Sequence, residues 1–221
     1  MPFQQTELDI EFSGMLLSGT TVSLNYKALQ GADPKDFGYF VALWQGTQIQ
    51  DLSDAKQTQT IQNNDQAGSL SFDNLEISSV NYIVGLGVNQ SDGSKSICAT
   101  LSIGSSDAPG QPLSGMSSSV SIPFPPGPNN IAAAFKTPLY NTPATNKNWI
   151  GLFQGSFTTN MFSGLNVLKT ANVTPDTNDG LTSMNGVNLI RFQKYTLVYG
   201  LGETSGNPNF QTIVSATEFT A

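Results

Sequence analysis

Apolar and polar residues alternate with a period of two along most of the chain. Residues 7–12 place Leu8, Ile10 and Phe12 on one side and Glu7, Asp9 and Glu11 on the other, which is the pattern of a half-buried strand. Val22, Leu24 and Tyr26 repeat it within 20–27. Residues 38–44 are almost continuously apolar, as a central strand of a sandwich would be. Further runs at 69–75, 82–88 and 96–103 complete a first set. A second set follows at 120–124, 131–136, 149–154, 164–169, 187–192, 195–201 and 211–219. Clusters such as Ala32-Asp-Pro34, Asn63-Asn-Asp65, Ser91-Asp-Gly93, Asn185-Gly186 and Gly206-Asn-Pro208 separate the runs and read as turns. No window carries a capped 3.6-residue period. Six or seven short strands per hundred residues predict an immunoglobulin-like β-sandwich, with a small barrel as the alternative.

The two sets are copies of each other. At an offset of 109, residues 22–47 fall on 131–156 without a gap, and Tyr26-Lys27 meets Phe135-Lys136. Pro34 meets Pro143. Phe40, Leu43 and Trp44 meet Trp149, Leu152 and Phe153, so the large aromatics swap places and their summed volume is kept, as a shared core requires. Ile83-Val-Gly-Leu-Gly87 matches Val198-Tyr-Gly-Leu-Gly202 at an offset of 115. Ala99-Thr100 matches Ala216-Thr217, and Ile10 and Phe12 match Ile122 and Phe124. The expected organisation is a first domain at 1–104, a Gly/Pro/Ser-rich linker at 105–118 and a second domain at 119–221.

The strand Trp149-Ile-Gly-Leu-Phe153, with Phe135-Lys136 and Pro143 before it, resembles SKICH-type and related immunoglobulin-like domains. Those carry Asp-Trp-(Ile/Val)-Gly-aliphatic-aromatic after a proline-containing loop, and this chain has Asn148 in place of the Asp. The resemblance covers one strand and its approach. It implies a fold and no activity.

Composition narrows the chemistry. Histidine is absent and Cys98 is the one cysteine, so no histidine base can serve a nucleophile, no intrachain disulfide can form, and no Cys/His zinc cluster can be built. Cys98 sits in an apolar run and reads as packed. There is no phosphate-cradling glycine loop. Glu7, Asp9 and Glu11 read as an edge strand protected by charge, and Asp51 and Asp54 as solvated loop residues. No catalytic residue is expected. For calcium, the nearest candidates are Asp176, Asn178 and Asp179, whose spacing departs from an EF-hand and equally fits a hairpin turn. No other cofactor is suggested.

The net charge of −7 disfavours nucleic acid, and no apolar run is long enough for a membrane span. The start of the chain lacks the features of a signal peptide, so a cytoplasmic protein, or one exported without a cleaved signal, is expected. The charge divides unevenly. Residues 1–110 carry twelve acids and four lysines (−8), and residues 111–221 carry four acids and five bases (+1). Unlike halves permit head-to-tail contacts. The expected function is therefore a non-catalytic structural or interaction protein that self-associates as a homo-oligomer or filament. The alternative is a carbohydrate- or host-surface-binding module of a toxin or adhesin, and a two-carboxylate hydrolase is a distant third.

Overall fold

The first strand does not join the sandwich that follows it in the chain. In a computed structural model that describes residues 4–77, 79–104 and 115–221, β1 (Gln5–Asp9) lies antiparallel to the last strand of the second sandwich. The chain changes sandwich at Ile10, which is fully buried. The alternating run at 7–12 is thus two strands in two units, and not one. Period-two alternation records which side chains face inward, and it is blind to a change of partner.

The first compact unit spans Ile10–Ala28 and Asp33–Ser117. It contains β2 (Glu11–Ser18), β3 (Thr21–Lys27), β4 (Phe40–Gln45), β5 (Gln57–Thr60), β6 (Ala67–Phe72), β7 (Tyr82–Gly87), β8 (Ile97–Ile103) and β9 (Gly115–Ser117). One sheet has the order β2-β3-β6 and the other β5-β4-β7-β8-β9. Successive strands switch sheets after β3, β5 and β6, the Greek-key connection of immunoglobulin-like sandwiches. The core is built where expected. Val22, Leu24 and Tyr26 of β3 are buried, and β4 is buried from Phe40 to Trp44.

The second unit comprises Ser118–Ala221, Leu29–Ala32 and the segment ending at Asp9. Its further strands are β10 (Ser119–Ser121), β11 (Asn130–Lys136), β12 (Trp149–Gln154), β13 (Val167–Asn172), β14 (Asp179–Asn185), β15 (Lys194–Gly200), β16 (Glu203–Thr204), β17 (Asn207–Pro208) and β18 (Ile213–Thr220). The sheets are β10-β11-β14 and β13-β12-β15-β18-β1, the same order as in the first unit. β16 and β17 form a small hairpin on the turn Ser205-Gly206, where both residues have positive φ, as a tight primed turn demands.

Each unit carries a tyrosine corner. The Tyr82 hydroxyl accepts the Glu76 N–H at 3.0 Å, and the Tyr195 hydroxyl accepts the Ile190 N–H at 2.8 Å. The turn before the central strand is also the same in both. Tyr39 N–H donates to Pro34 O (2.7 Å) and Asn148 N–H to Pro143 O (2.8 Å), at the offset of 109. The fold is thus all-β, with an immunoglobulin-like strand order in each unit.

Several sequence matches need correction. Phe40 pairs with Gly87 and Trp149 with Gly200, so β7 and β15 correspond at an offset of 113 and not 115. Both strands bulge into their successors at that glycine. Leu86 faces Ala99 and Tyr199 faces Ser215, so Ala99 corresponds to Ser215 and not to Ala216. A one-residue slip turns a strand's faces over. Phe12 pairs with Tyr26 and Val120 with Phe135, so Phe12 corresponds to Val120 and not to Phe124. The run at 187–192 is a loop, with Phe192 at φ +65° and exposed; the strand is β14, whose polar sequence shows a single buried residue, Met184. Most of the expected linker, 105–114, lies outside the described residues, as do residues 1–3. Residues 115–117 form β9, and Ser118 is buried in the second unit.

Candidate functional site

All six aromatic and leucine positions of the repeated octet are buried, namely Phe40, Leu43, Trp44, Trp149, Leu152 and Phe153. Their role is packing. The Phe40 ring covers Gly87 and the Trp149 indole covers Gly200, where a Cβ would overlap the rings. Trp44 Nε1 donates to Asp51 O at 3.1 Å. Phe210 stands edge-on to Trp149 and Phe153, with centroids 5.3 and 6.0 Å away.

The acids do not gather. Glu7 and Asp9 are on β1 and Glu11 is on β2 in the other unit, where Lys27 Nζ lies 3.7 Å away. Asp51 precedes a 3-10 turn at Leu52–Asp54, and Asp54 is its last residue. Among the described residues, no three His, Cys, Asp or Glu side chains are placed to share a metal ion. Cys98 is buried with Sγ 3.3 Å from Leu86 O, and burial pushes its thiol pKa far above the ordinary value. Such a thiol is poorly suited to attack.

Two of the calcium candidates, Asp176 and Asn178, make hydrogen bonds to the loop before β12. Asp176 accepts the Thr145 N–H at 2.9 Å and the Thr145 hydroxyl at 2.8 Å, and these bonds hold its carboxyl below the ordinary pKa. Asn178 Nδ2 donates to Pro138 O and Asn141 O at 2.7 and 3.2 Å. Asp179 opens β14 opposite Lys136. In the first unit Asn64 Oδ1 accepts the N–H groups of Lys35 and Asp36 at 3.0 and 3.2 Å. A side-chain oxygen thus pins the same turn in both units.

The sheet edges differ more. An edge strand offers unpaired N–H and C=O groups, and proteins usually blunt it. β5 and β6 are tied together by Gln57 and Gln59, whose amides donate to Asp73 O and Ser71 O at 2.6 and 2.5 Å. Lys169 Nζ of β13 donates to Asn185 O at the end of β14. β9 is three residues long, and β1 carries the exposed Glu7. β10 is also three residues long, and Pro123, Pro125, Pro126 and Pro128 follow it, which cannot donate to a ladder.

β2 has none of these devices along its second half. It runs for eight residues and, among the described residues, pairs on one side only, with β3. Its bulge lies between Phe12 and Gly14, so the stretch from Met15 to Ser18 is regular and uncharged. Leu16 is 65% exposed and Leu17 41%. A hollow of about 220 Å³ lies beside Phe12, Gly14, Met15 and Leu101, and another of about 410 Å³ beside Leu17, Thr20, Leu75 and Ile77. The geometry suits addition of an extended strand, with apolar side chains seated alongside it. Sequence reasoning missed this edge, because its signal is the lack of proline and charge where the second copy has four prolines.

No protein-family profile matches the chain. No curated protein matches its sequence. Solved structures do match. The FN1–FN3 domains of chicken CNTN1 align over 96% of this chain and 67% of that one, at 11% identity and a TM-score of 0.29. The BSP domain of a biofilm-associated protein aligns over 86% of this chain and 25% of that one, at 14% identity and a TM-score of 0.26. Likenesses at these scores carry no functional argument. The immunoglobulin-like assignment stands on the strand order and tyrosine corners, and the SKICH-type resemblance extends no further than that fold.

Proposed function

We propose that the protein is a non-catalytic structural or interaction module that associates with copies of itself through the open edge of β2. The observation that carries this reading is the contrast between β2, regular and uncharged from Met15 to Ser18, and its proline-blocked counterpart β10. The bond would be sheet extension, with Leu16 and Leu17 packed across it. A second copy is favoured as the partner because this edge carries no net charge that would repel its own image. Glu11 is neutralised by Lys27, and no other residue of β2 is charged.

The charge division seen in the sequence does not support this reading. Counted by compact unit, the first sandwich has ten acids and four lysines (−6). The second gains Glu7 and Asp9 and has six acids and five bases (−1). Both are negative, so attraction between unlike halves is not the driving force. Association through backbone pairing and apolar contact depends weakly on salt. Sedimentation velocity over a concentration series is expected to show growth beyond the monomer that survives raised salt. Replacement of Leu16 by Lys is expected to suppress it, since two copies would then bring like charges to one edge. Growth unchanged by that substitution would remove β2 from the account.

A further inference from the structure

Each five-stranded sheet ends on a strand that leads, in the chain, into the other sandwich. β18 is edged by β1, and the chain then enters the first sandwich at Ile10. β8 is edged by β9, and the chain then enters the second sandwich at Ser118. The two pairings are antiparallel and equivalent in register. Asp9 faces Ser215 and Ser117 faces Ala99. Asp9 and Ser117 are corresponding positions of the duplication, as are Ala99 and Ser215. One leading strand has been traded for the other.

β1 is held by its ladder more than by a core. Gln5, Thr6 and Glu7 are exposed, and Leu8 and Asp9 are half-buried. A side-chain bond from its start reaches the neighbouring sheet: Gln5 Oε1 accepts the Ile122 N–H at 2.9 Å. β18, by contrast, is buried from Ile213 to Thr217 and is paired along its other side with β15. Strands with few buried apolar groups open locally at low cost, while their buried neighbours stay folded. If β1 lifts away, β18 is left with a row of unpaired backbone groups that another extended strand can satisfy. The strand that fits best is β1 of a second copy. It alone brings Leu8 opposite Ala216 and a glutamine to the Ile122 N–H in the register already observed.

We infer that β1 is an exchangeable strand, docking on β18 of its own chain or of a second copy. Reciprocal docking closes a dimer, and successive docking runs head-to-tail without closing. The inference rests on the self-association reading for its partner, and it names a joint other than β2.

The test is Leu8→Cys combined with Ala216→Cys, two positions that face each other across the ladder. Equal amounts of isotopically light and heavy full-length chains are mixed at high concentration, incubated and then oxidised. The disulfide-linked peptide pair is read by mass spectrometry, and Cys98 is buried and so a poor competitor. The inference expects light–heavy pairs joining positions 8 and 216, with a ladder of covalent multimers on a non-reducing gel. Only light–light and heavy–heavy pairs, on monomers, would overturn it. If the unsubstituted chain still associates in that case, self-association stands and the β1 joint alone is wrong. If the unsubstituted chain is also monomeric, both fail. Thr6→Cys with Glu218→Cys repeats the test should the first pair fold poorly, because Thr6 also faces Glu218.

Discussion

The two sandwiches share strand order, tyrosine corner and turn, yet they solve the same interior position in opposite ways. In the second, a buried polar chain runs from Ser118 to Thr137, on to the Tyr199 hydroxyl and then to Asn148. Ser118 Oγ lies 3.4 Å from Thr137 Oγ1, and Asn148 Nδ2 donates to Tyr199 at 2.8 Å and to Asn141 Oδ1 at 3.0 Å. Burial raises the Tyr199 phenol pKa, opposed in part by its bonds to Asn148 and Thr137. In the first sandwich the corresponding residues are Ile10, Ala28, Leu86 and Tyr39, all buried. A paired polar network and an apolar cluster therefore fill equivalent space. The backbone plan tolerates either filling, and in the first sandwich it does so even with the Tyr39 hydroxyl buried without a hydrogen-bond partner among the described residues. The edges show the same freedom, since one first strand is open and the other is closed by proline.

The largest test of this contrast is Asn148→Ala. It strips the Tyr199 hydroxyl and Asn141 Oδ1 of a buried donor, and a cost of about 3 kcal/mol is expected. Each sandwich holds one tryptophan, Trp44 or Trp149, so urea unfolding followed by Trp149 fluorescence in a Trp44→Phe background reads the second unit alone. A loss under about 0.5 kcal/mol, the size of an ordinary surface substitution, would mean that the network is incidental.

Next in size is the glycine under each large ring. Gly87→Ala and Gly200→Ala would each drive a methyl into Phe40 or Trp149, at about 2 kcal/mol by the usual cost of overpacking. Similar losses in both units are expected. A neutral result in one would show that its ring can move aside.

Tyr39→Phe should cost nearly nothing. The Tyr39 hydroxyl is buried and has no hydrogen-bond partner among the described residues, so its removal is expected to leave stability unchanged or slightly raised. A clear loss would reveal a partner for that hydroxyl.

The smallest effect separates the two turn pins. Asp176 has a lowered pKa in the folded chain. Its contribution is therefore present above the ordinary carboxylate range and lost as pH falls through the folded value. Asn64 does the same work with an amide that does not titrate. Acidification should loosen the turn at Thr145 and leave that at Lys35–Asp36 intact, as amide hydrogen exchange of Thr145 against Asp36 can show. Asp176→Asn should abolish the difference.

Much of this was legible in the residues. The 109-residue offset located the repeated turn and the buried octet, because proline, glycine and large aromatics constrain backbone and volume together. The later offsets misled, because the two Gly-Leu-Gly motifs resemble one another more than the true partners Leu86 and Tyr199 do. The crossing at Ile10 was invisible: an alternating strand reads alike whether its neighbour is β3 or β18. The open edge of β2 was hidden too, since exposure of Leu16 depends on which strand fails to cover it.

Self-association through β2 stands or falls on sedimentation velocity of the unsubstituted chain beside Leu16→Lys. Concentration-dependent growth that persists at high salt is expected of the first, and markedly weaker growth of the second. An unchanging monomer in both, at every concentration, would contradict it.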